Sequence, residues 1–371
     1  MKLDEAFLDQ LQSLDADPEK KFAGTPVAKK LALLLRPAFV ARPKKTLVWG
    51  DFSNIEARVL PWLANSPGAE AKLDIFRAVD KDPTVPDVYM RTGADLSNED
   101  RERMWVAYKD KQHADHKRAG TVRQAYGKVT ELSLGFGGAL GALLAMAAAY
   151  GVFFDTATAK KLVVDWREKN QWAVDFWGKH GRNASYGIWG AVNSAIENPN
   201  TVYEAGRVAY VYDPDYLSGT LCCALPDGCI LTYPSIKWEW REITDKKTGE
   251  LVDRYQLTFI KGYGRVAAWY GKFAENITQA VAARVLKRTM KRLDRDWHPI
   301  NATTRRRYSE WMPMVMHTHD ESVTEPFESE AKPVAEALRG IMTRNDEWDA
   351  GLPLAAEITT NWYYSKAIEG K

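Results

Sequence analysis

A run of 23 uncharged residues, Leu132–Phe154, places the strongest limit on how this chain can fold. As a single helix, the run would be long enough to cross a bilayer. It contains five glycines, however, which weaken a continuous helix and more often let two backbones approach closely. We therefore predict that the run forms a buried helix and a turn, and that the protein has no membrane partner.

Composition allows a sizeable core and excludes several classes of protein. The 371 residues are 45% hydrophobic and 27% charged, with a net charge of +2. That length predicts more than one lobe, and the charge balance excludes a polybasic tail or an acidic disordered chain while allowing local basic faces. The three cysteines form no pair of CxxC units, and the N-terminal segment has no apolar core of the signal-peptide type. These features favour a reducing, cytoplasmic location.

The first candidate functional residue is Asp51. It follows a short apolar strand, Thr46–Trp49, and precedes apolar residues at helical spacing from Ile55 to Leu63. An aspartate before a helix often caps the free backbone N–H groups. An aspartate at the carboxyl end of a strand can also bind a metal ion. The pattern alone leaves both interpretations open.

The second candidate lies in an alternating segment, Met312–Glu325, which predicts a strand–turn–strand. Asp320 and Glu321 stand at its tip, where two neighbouring carboxylates repel each other unless a cation or base neutralises them. A solvated turn is the simpler interpretation, since Asp is common in β-turns. Alternatively, Asp51 and Asp320 share Mg²⁺, which prefers a few carboxylates together with substrate phosphates.

The third candidate is a helix face formed by Lys128, Leu132 and Phe136, each four residues apart. An ammonium and an aromatic ring in one row suit a triphosphate at one end and a base at the other. An amphipathic helix with one lysine reaching to solvent explains the same pattern.

The remaining pattern predicts further elements. Trp166, Trp172, Phe176 and Trp177 at near-helical spacing predict a packed core, and residues 217–262 alternate as hairpins would. A long helix is predicted over Ala267–Trp297. In it, Glu275 and Gln279 lie one turn apart. A basic stripe follows, and it fits either a solvated face or a phosphate track: Arg284, Lys287, Arg288, Lys291, Arg292 and Arg295.

Three segments in this order resemble a known enzyme family. DFSNIEARVLPWLA is similar to motif A, GKVTELSLGFGG to motif B and HTHDESV to motif C of family A (Pol I-type) DNA polymerases of bacteriophage type. The resemblance implies a right-hand α/β (α+β) fold, with an antiparallel palm sheet and mostly helical fingers. It divides the chain into a leader or adaptor (1–31), palm (32–100), fingers (101–214) and a second palm segment (215–371).

The resemblance also implies the residues of the metal site. Asp51 and Asp320 would bind two Mg²⁺ ions, for which Mn²⁺ is a possible substitute, and the backbone carbonyl of Phe52 would be an extra ligand. Glu321 would be a secondary acidic residue.

For the nucleotide, the resemblance implies that Lys128 contacts the phosphates, Glu56 acts as a sugar gate and Phe136 stacks near the templating position. Arg123 and Leu132 depart from the family pattern. Arg123 lies five rather than four residues before Lys128, a rotation of roughly a hundred degrees on an α-helix, so phosphate contact would need a local bulge or a different pose. Leu132 replaces an aromatic residue. The implied DNA-binding residues are Arg58, Glu275, Gln279 and His319.

The implied partners are primer–template DNA, dNTPs and a separate polypeptide. Only 50 residues precede Asp51, and the segments with which the family grips the duplex are not found. We therefore expect a thumb and a 3′–5′ exonuclease on another polypeptide, as in a split polymerase. Two alternatives are a single-subunit RNA polymerase, which Glu56 disfavours, and a catalytically inert polymerase-derived DNA-binding subunit, which the retained Asp51, Lys128 and Asp320 disfavour.

Overall fold

A computed structural model describes residues 35–178, 186–244, 249–299 and 305–365. The predicted leader, residues 1–31, lies outside this part of the chain. The described residues divide into two compact units: a first unit drawn from 35–51, 290–341 and 357–365, and a second unit drawn from 52–289 and 342–356. These boundaries differ from the predicted palm and fingers boundaries, which remain a prediction.

The helices of the described residues are α1 (Ile55–Ala64), α2 (Pro67–Lys81), α3 (Val88–Ser97), α4 (Arg101–Lys109), α5 (His116–Thr121), a π-helix (Val122–Lys128), α6 (Val129–Leu134), α7 (Leu140–Ala149), α8 (Thr156–Lys169), α9 (Gln171–Trp177), α10 (Gly187–Glu197), α11 (Tyr270–Arg295), α12 (Tyr308–Trp311) and α13 (Ala331–Thr343). Short 3₁₀ turns lie at Tyr216–Ser218, Glu328–Glu330 and Glu347–Asp349.

The strands are β1 (Leu47–Phe52), β2 (Tyr203–Ala205), β3 (Val208–Asp213), β4 (Thr220–Ala224), β5 (Ile230–Pro234), β6 (Lys237–Thr244), β7 (Leu251–Lys261), β8 (Gly264–Ala267), β9 (Trp297–Pro299), β10 (Arg305–Arg307), β11 (Met314–Thr318), β12 (Glu321–Thr324) and β13 (Ala356–Asn361). They form sheets in the orders β11-β12-β1-β13, β10-β9, β2-β3-β4-β5 and β6-β7-β8.

The first unit is organised by the four-stranded sheet β11-β12-β1-β13. β1 lies next to β12 in antiparallel register, and its apolar residues are buried, which explains why a short run of β-formers becomes an inner strand. Leu47, Trp49, Val323 and Tyr364 form one hydrophobic cluster on this sheet. The strand–turn–strand predicted over Met312–Glu325 is confirmed as β11 and β12.

The second unit combines helices α1–α10 with two antiparallel sheets. The hairpins predicted over residues 217–262 are confirmed by β4–β5 and β6–β7. Trp166, Phe176 and Trp177 are buried, and the rings of Trp166 and Trp177 stack with centroids 6.0 Å apart. The predicted aromatic core is therefore confirmed for these three residues; Trp172 is only partly buried.

The uncharged run is broken into a helix end, a turn and α7. In α7 only Leu143 and Ala147 are buried, so the prediction of a buried helix is wrong for most of this element. Periodicity is weak in a segment made of Ala, Gly and Leu, and it does not tell which face is covered. No helix in the described ranges is both long and apolar enough to cross a membrane.

A π-helix replaces α-helix over Val122–Lys128. It packs backbone to backbone against α3. The two backbones are so close that a Cβ on Gly127 would lie 1.9 Å from the carbonyl oxygen of Tyr89, and one on Gly93 would lie 2.1 Å from that of Val122. Such wide turns are rare and frequently mark functional segments. Arg123 lies in this π-helix, so the local bulge that its contact with a phosphate would need is present.

The long helix predicted over Ala267–Trp297 is confirmed as α11, and its basic stripe divides into two rows. Arg288 and Arg292 are buried, and Arg284 forms an ion pair with Asp227. Lys287, Lys291 and Arg295 are exposed. The stripe is therefore one paired row and one solvated row rather than a single solvated face.

Candidate functional site

Two acids that are far apart in the sequence lie close together in the first unit. Asp51 is directly opposite Glu321 in the antiparallel β1–β12 ladder. Opposed Cα atoms in such a ladder are about 4.5–5.5 Å apart, and neighbouring Cα atoms are about 3.8 Å apart. The Cα of Asp320, the residue before Glu321, is therefore less than about 10 Å from that of Asp51.

Asp51 does not cap a helix. It is the fifth residue of β1, and the N-cap residue that precedes α1 is Asn54, which has a left-handed backbone with φ +54°. The capping interpretation is thus wrong, since the backbone of Asp51 belongs to the β-ladder. Phe52, the predicted carbonyl ligand, is the buried last residue of the same strand.

Asp320 lies in a two-residue hairpin turn between β11 and β12, whose flanking residues Thr318 and Glu321 are paired. The other turn residue, His319, is exposed and has φ +50°. The side chain of Asp320 is partly exposed, so a ligand can reach it from solvent.

Glu321 differs from both aspartates because it is buried, with 1% exposure. Its carboxylate accepts hydrogen bonds from Arg36 Nη1 at 3.1 Å and from the hydroxyl of Tyr364. The Arg36 guanidinium also lies over the Tyr364 ring, 5.0 Å from its centroid. Burial, together with the bond to Glu321, raises the pKa of Tyr364 well above its usual value, so the hydroxyl keeps its proton.

In the second unit, Lys128, Leu132 and Phe136 are all partly buried. Lys128 ends the π-helix and Leu132 lies in α6, but Phe136 lies in the turn after α6, so the prediction of one helix face is wrong for Phe136. Lys128 Nζ lies 5.7 Å from the centroid of the Tyr150 ring. Leu132 and Phe136, together with Glu56 from α1, line a cavity of about 30 Å³. Three predicted nucleotide-binding residues are therefore brought together.

Glu56 is held by α11. Gln279 Nε2 donates a hydrogen bond of 2.5 Å to Glu56 Oε1. On the same helix, Glu275 forms an i,i+3 ion pair with Lys272 at 3.0 Å. A Cβ on Gly271 would lie 2.2 Å from the Phe136 carbonyl oxygen, so only glycine lets the start of α11 pack this closely against the residue that lines the cavity.

A buried ion pair forms part of the cavity wall. Lys72 Nζ lies 2.6 Å from Glu131 Oε1, and these side chains are 9% and 8% exposed. The hydroxyl of Thr92 donates to the same oxygen at 2.5 Å. Lys72 also lines a second cavity of about 180 Å³. This charge network ties α2 and α3 to the helix that carries Leu132.

Arg123 lies in the π-helix and is paired within the second unit. Its Nη2 is 2.7 Å from Asp87 Oδ2, and its guanidinium lies over the rings of Tyr89 and Tyr108, at 5.5 and 5.0 Å. A phosphate would have to compete with Asp87 for this side chain.

Arg58 is only 2% exposed, unlike an arginine that contacts DNA. Its guanidinium forms two hydrogen bonds with Asp80, at 2.6 and 2.8 Å, and donates to the Ser53 carbonyl at 2.7 Å. These contacts fix the turn that joins β1 to α1. The geometry therefore fits a positioning role for Arg58.

The described residues contain no preformed group of three or more His, Cys, Asp or Glu side chains that could hold a metal ion. The two aspartates nevertheless fit Mg²⁺, because their oxygen atoms are the ligands that it prefers and because it usually takes only one or two carboxylates together with substrate phosphates.

Sequence reasoning missed the partners that hold the candidate residues in place. Lys72 and Glu131 are 59 positions apart, and Arg36 and Glu321 are 285 positions apart. Glu131 lies inside the segment GKVTELSLGFGG, so its charge among apolar neighbours was the one available signal. Nothing in the sequence singles out Tyr364.

Comparison with known proteins agrees with the predicted resemblance. The chain is 30% identical over 337 residues to a DNA polymerase of Bacillus phage SP02, covering 91% of this chain and 44% of that protein. It therefore spans less than half the length of that relative. No protein-family model matches the chain.

A solved structure has the same fold. It is the POL domain of Pol1 from M. smegmatis in complex with DNA primer-template and dNTP, with a TM-score of 0.51 and 14% sequence identity over 92% of this chain and 44% of that chain. The prediction of a mixed α/β polymerase-domain fold with antiparallel sheets is confirmed.

Proposed function

We propose that this chain, which resembles a phage DNA polymerase and has the fold of a Pol I polymerase domain, adds deoxynucleotides to a primer 3′ end on a DNA template. The observation that carries the proposal is the position of Asp51 and Asp320 at one end of the β1–β12 ladder. Acids in this arrangement suit a nucleotidyl transfer that uses two divalent cations.

Asp51 and Asp320 would hold two Mg²⁺ ions, with the Phe52 carbonyl as a further ligand. When bound, such ions activate the primer hydroxyl and stabilise the leaving pyrophosphate. The carboxylates contribute negative charge and fixed orientation. His319, exposed beside Asp320, would contact the primer terminus.

Lys128 would contact the incoming phosphates, because an ammonium neutralises charge that grows on the leaving group. Phe136 would support the base, and Glu56 would exclude a ribose 2′-hydroxyl. All of these side chains are partly buried rather than fully solvated, and this burial supports their assignment to a nucleotide site. Gln279 would hold Glu56 in place through its hydrogen bond and would also contact the minor groove of the DNA.

Primer extension tests the proposal directly. The full chain is incubated with a primed DNA template, the four dNTPs and Mg²⁺, beside an Asp51→Asn variant. Extension by the parent chain and its loss in the variant are expected. Equal extension by both would show that the activity belongs to a contaminant or to other residues, and would favour the inert DNA-binding alternative.

Replacing Glu56 with alanine should relax sugar selection. Removing the side chain opens space for a 2′-hydroxyl, and we expect the ratio of kcat/KM for rNTP to that for dNTP to rise roughly tenfold to a hundredfold. Gln279→Ala should change the ratio in the same direction but less, since Glu56 stays but loses its 2.5 Å hydrogen bond.

The matched control for this measurement is Glu102→Ala, an exposed glutamate on α4. Its ratio should equal that of the parent chain. A parent chain that uses rNTPs as well as dNTPs would instead support the RNA polymerase alternative.

The predicted separate polypeptide can be tested with the same assay. Phosphate contacts supply most of the affinity of a protein for DNA, and that affinity falls steeply with salt. If a separate thumb and exonuclease polypeptide completes the enzyme, extension by this chain alone should be short and should decline strongly between low and physiological salt. Long products at physiological salt without any added protein would contradict the prediction.

A further inference from the structure

The buried carboxylate of Glu321 is a third acid beside the two proposed metal-binding aspartates. It lies opposite Asp51 in the β-ladder and next to Asp320 in the chain. Like charges opposite each other in a sheet destabilise it, and an unpaired buried carboxylate is costly. Something must therefore compensate this charge.

Two residues of the first unit supply that compensation. Arg36 Nη1 lies 3.1 Å from one carboxylate oxygen of Glu321, and the Tyr364 hydroxyl donates to the other. Tyr364 is itself fixed, because its ring packs edge-on against Trp49 with centroids 5.4 Å apart. Trp49 belongs to β1, the strand that carries Asp51. The carboxylate is thus held from two directions.

We propose that Arg36 and Tyr364 are positioning residues that hold Glu321 in an inward, charge-compensated orientation, so that a divalent cation meets two carboxylates, those of Asp51 and Asp320, rather than three. This inference rests on the proposed function, in which Asp51 and Asp320 bind the metal ions. It assigns Glu321 a buried pairing with Arg36 and Tyr364 in place of metal binding.

The inference predicts a distinctive pattern in direct Mn²⁺ binding, measured from the electron paramagnetic resonance signal of the free ion without DNA or nucleotide. Arg36→Met removes the positive charge that lies 3.1 Å from the Glu321 carboxylate, so Mn²⁺ should bind about fivefold more tightly. Glu321→Gln leaves Arg36 uncompensated and should weaken binding by a similar factor. The double variant Arg36→Met/Glu321→Gln should return to the affinity of the parent chain.

A metal-ligand role for Glu321 gives a different result. If Glu321 binds the ion, the double variant stays as weak as Glu321→Gln, and this outcome would overturn the inference while leaving the proposed function intact. If Asp51→Asn and Asp320→Asn leave Mn²⁺ binding unchanged, the proposed metal site and the inference both fail.

Two further variants separate positioning from loss of folding. Tyr364→Phe keeps the ring contacts and removes only the hydroxyl, so it should tighten Mn²⁺ binding in the same direction as Arg36→Met but by less. Lys332→Met removes an exposed positive charge of the same unit and should leave Mn²⁺ binding unchanged. Circular dichroism shows whether each variant is folded. A Tyr364→Phe chain that is folded but binds Mn²⁺ more weakly than the parent would contradict the inference.

Discussion

An Asp320→Asn variant should lose primer extension by roughly three orders of magnitude, because about 4 kcal/mol of charge stabilisation in the transition state disappears with the carboxylate. The substitution keeps the size and shape of the side chain and the two-residue turn in which it lies. Folding should therefore be preserved. Single-nucleotide incorporation under saturating dNTP measures the effect on kcat.

The control for Asp320→Asn is Glu328→Gln, which also removes one carboxylate from the first unit but at an exposed position. Its rate should equal that of the parent chain. An Asp320→Asn chain that retains a tenth or more of the parent rate would remove Asp320 from the catalytic residues and, with it, the main support for the proposed chemistry.

Lys72→Met should strongly destabilise the fold. It leaves Glu131 buried without its cation, and breaking a buried ion pair in this way costs about 3–5 kcal/mol of unfolding free energy. Equilibrium unfolding in urea, followed by tryptophan fluorescence, measures the loss. The double variant Lys72→Met/Glu131→Gln should recover part of it, because the unpaired buried charge is gone.

An exposed pair on α8 provides the comparison. Lys161 pairs with Asp165 one turn away, but its side chain is 74% exposed. Lys161→Met should therefore lower the free energy of unfolding by less than about 1 kcal/mol. Similar losses for Lys72→Met and Lys161→Met would mean that the Lys72–Glu131 pair is far more solvated than its 9% and 8% exposures indicate.

The sequence predicted those features that depend on local patterns. A strand ending near Asp51 and a hairpin over Met312–Glu325 follow from alternation and turn residues, and both are present. Their adjacency came from the resemblance, since no local pattern states which strands pair. The helical positions of Lys128 and Leu132 were predictable from their spacing of four, whereas the helix ends before Phe136.

What the sequence did not predict depends on contacts between distant segments. Arg58 has the appearance of a surface residue in the sequence, yet its partner Asp80 lies 22 positions away and buries it. The Lys72–Glu131 pair is of the same kind. For α7, the exposed face could not be foreseen because its residues are nearly uniform in polarity. Which charged residues pair, and which face of a helix is buried, depend on the packing of distant segments. A short window of sequence does not contain that information.

The wide turn before Lys128 has a consequence for how this segment tolerates insertion and deletion. A backbone ladder of i→i+5 bonds accommodates one residue more than the i→i+4 ladder on either side. Deleting one residue from an ordinary α-helix rotates everything beyond it by about 100°. Here a deletion inside 124–126, which spares the close contacts of Val122 and Gly127 with α3, would instead be absorbed as the turn tightens to regular α-helix, and Lys128 and Leu132 would keep their direction. The segment is therefore a place where chain length can vary while the orientation of the residues that follow is maintained.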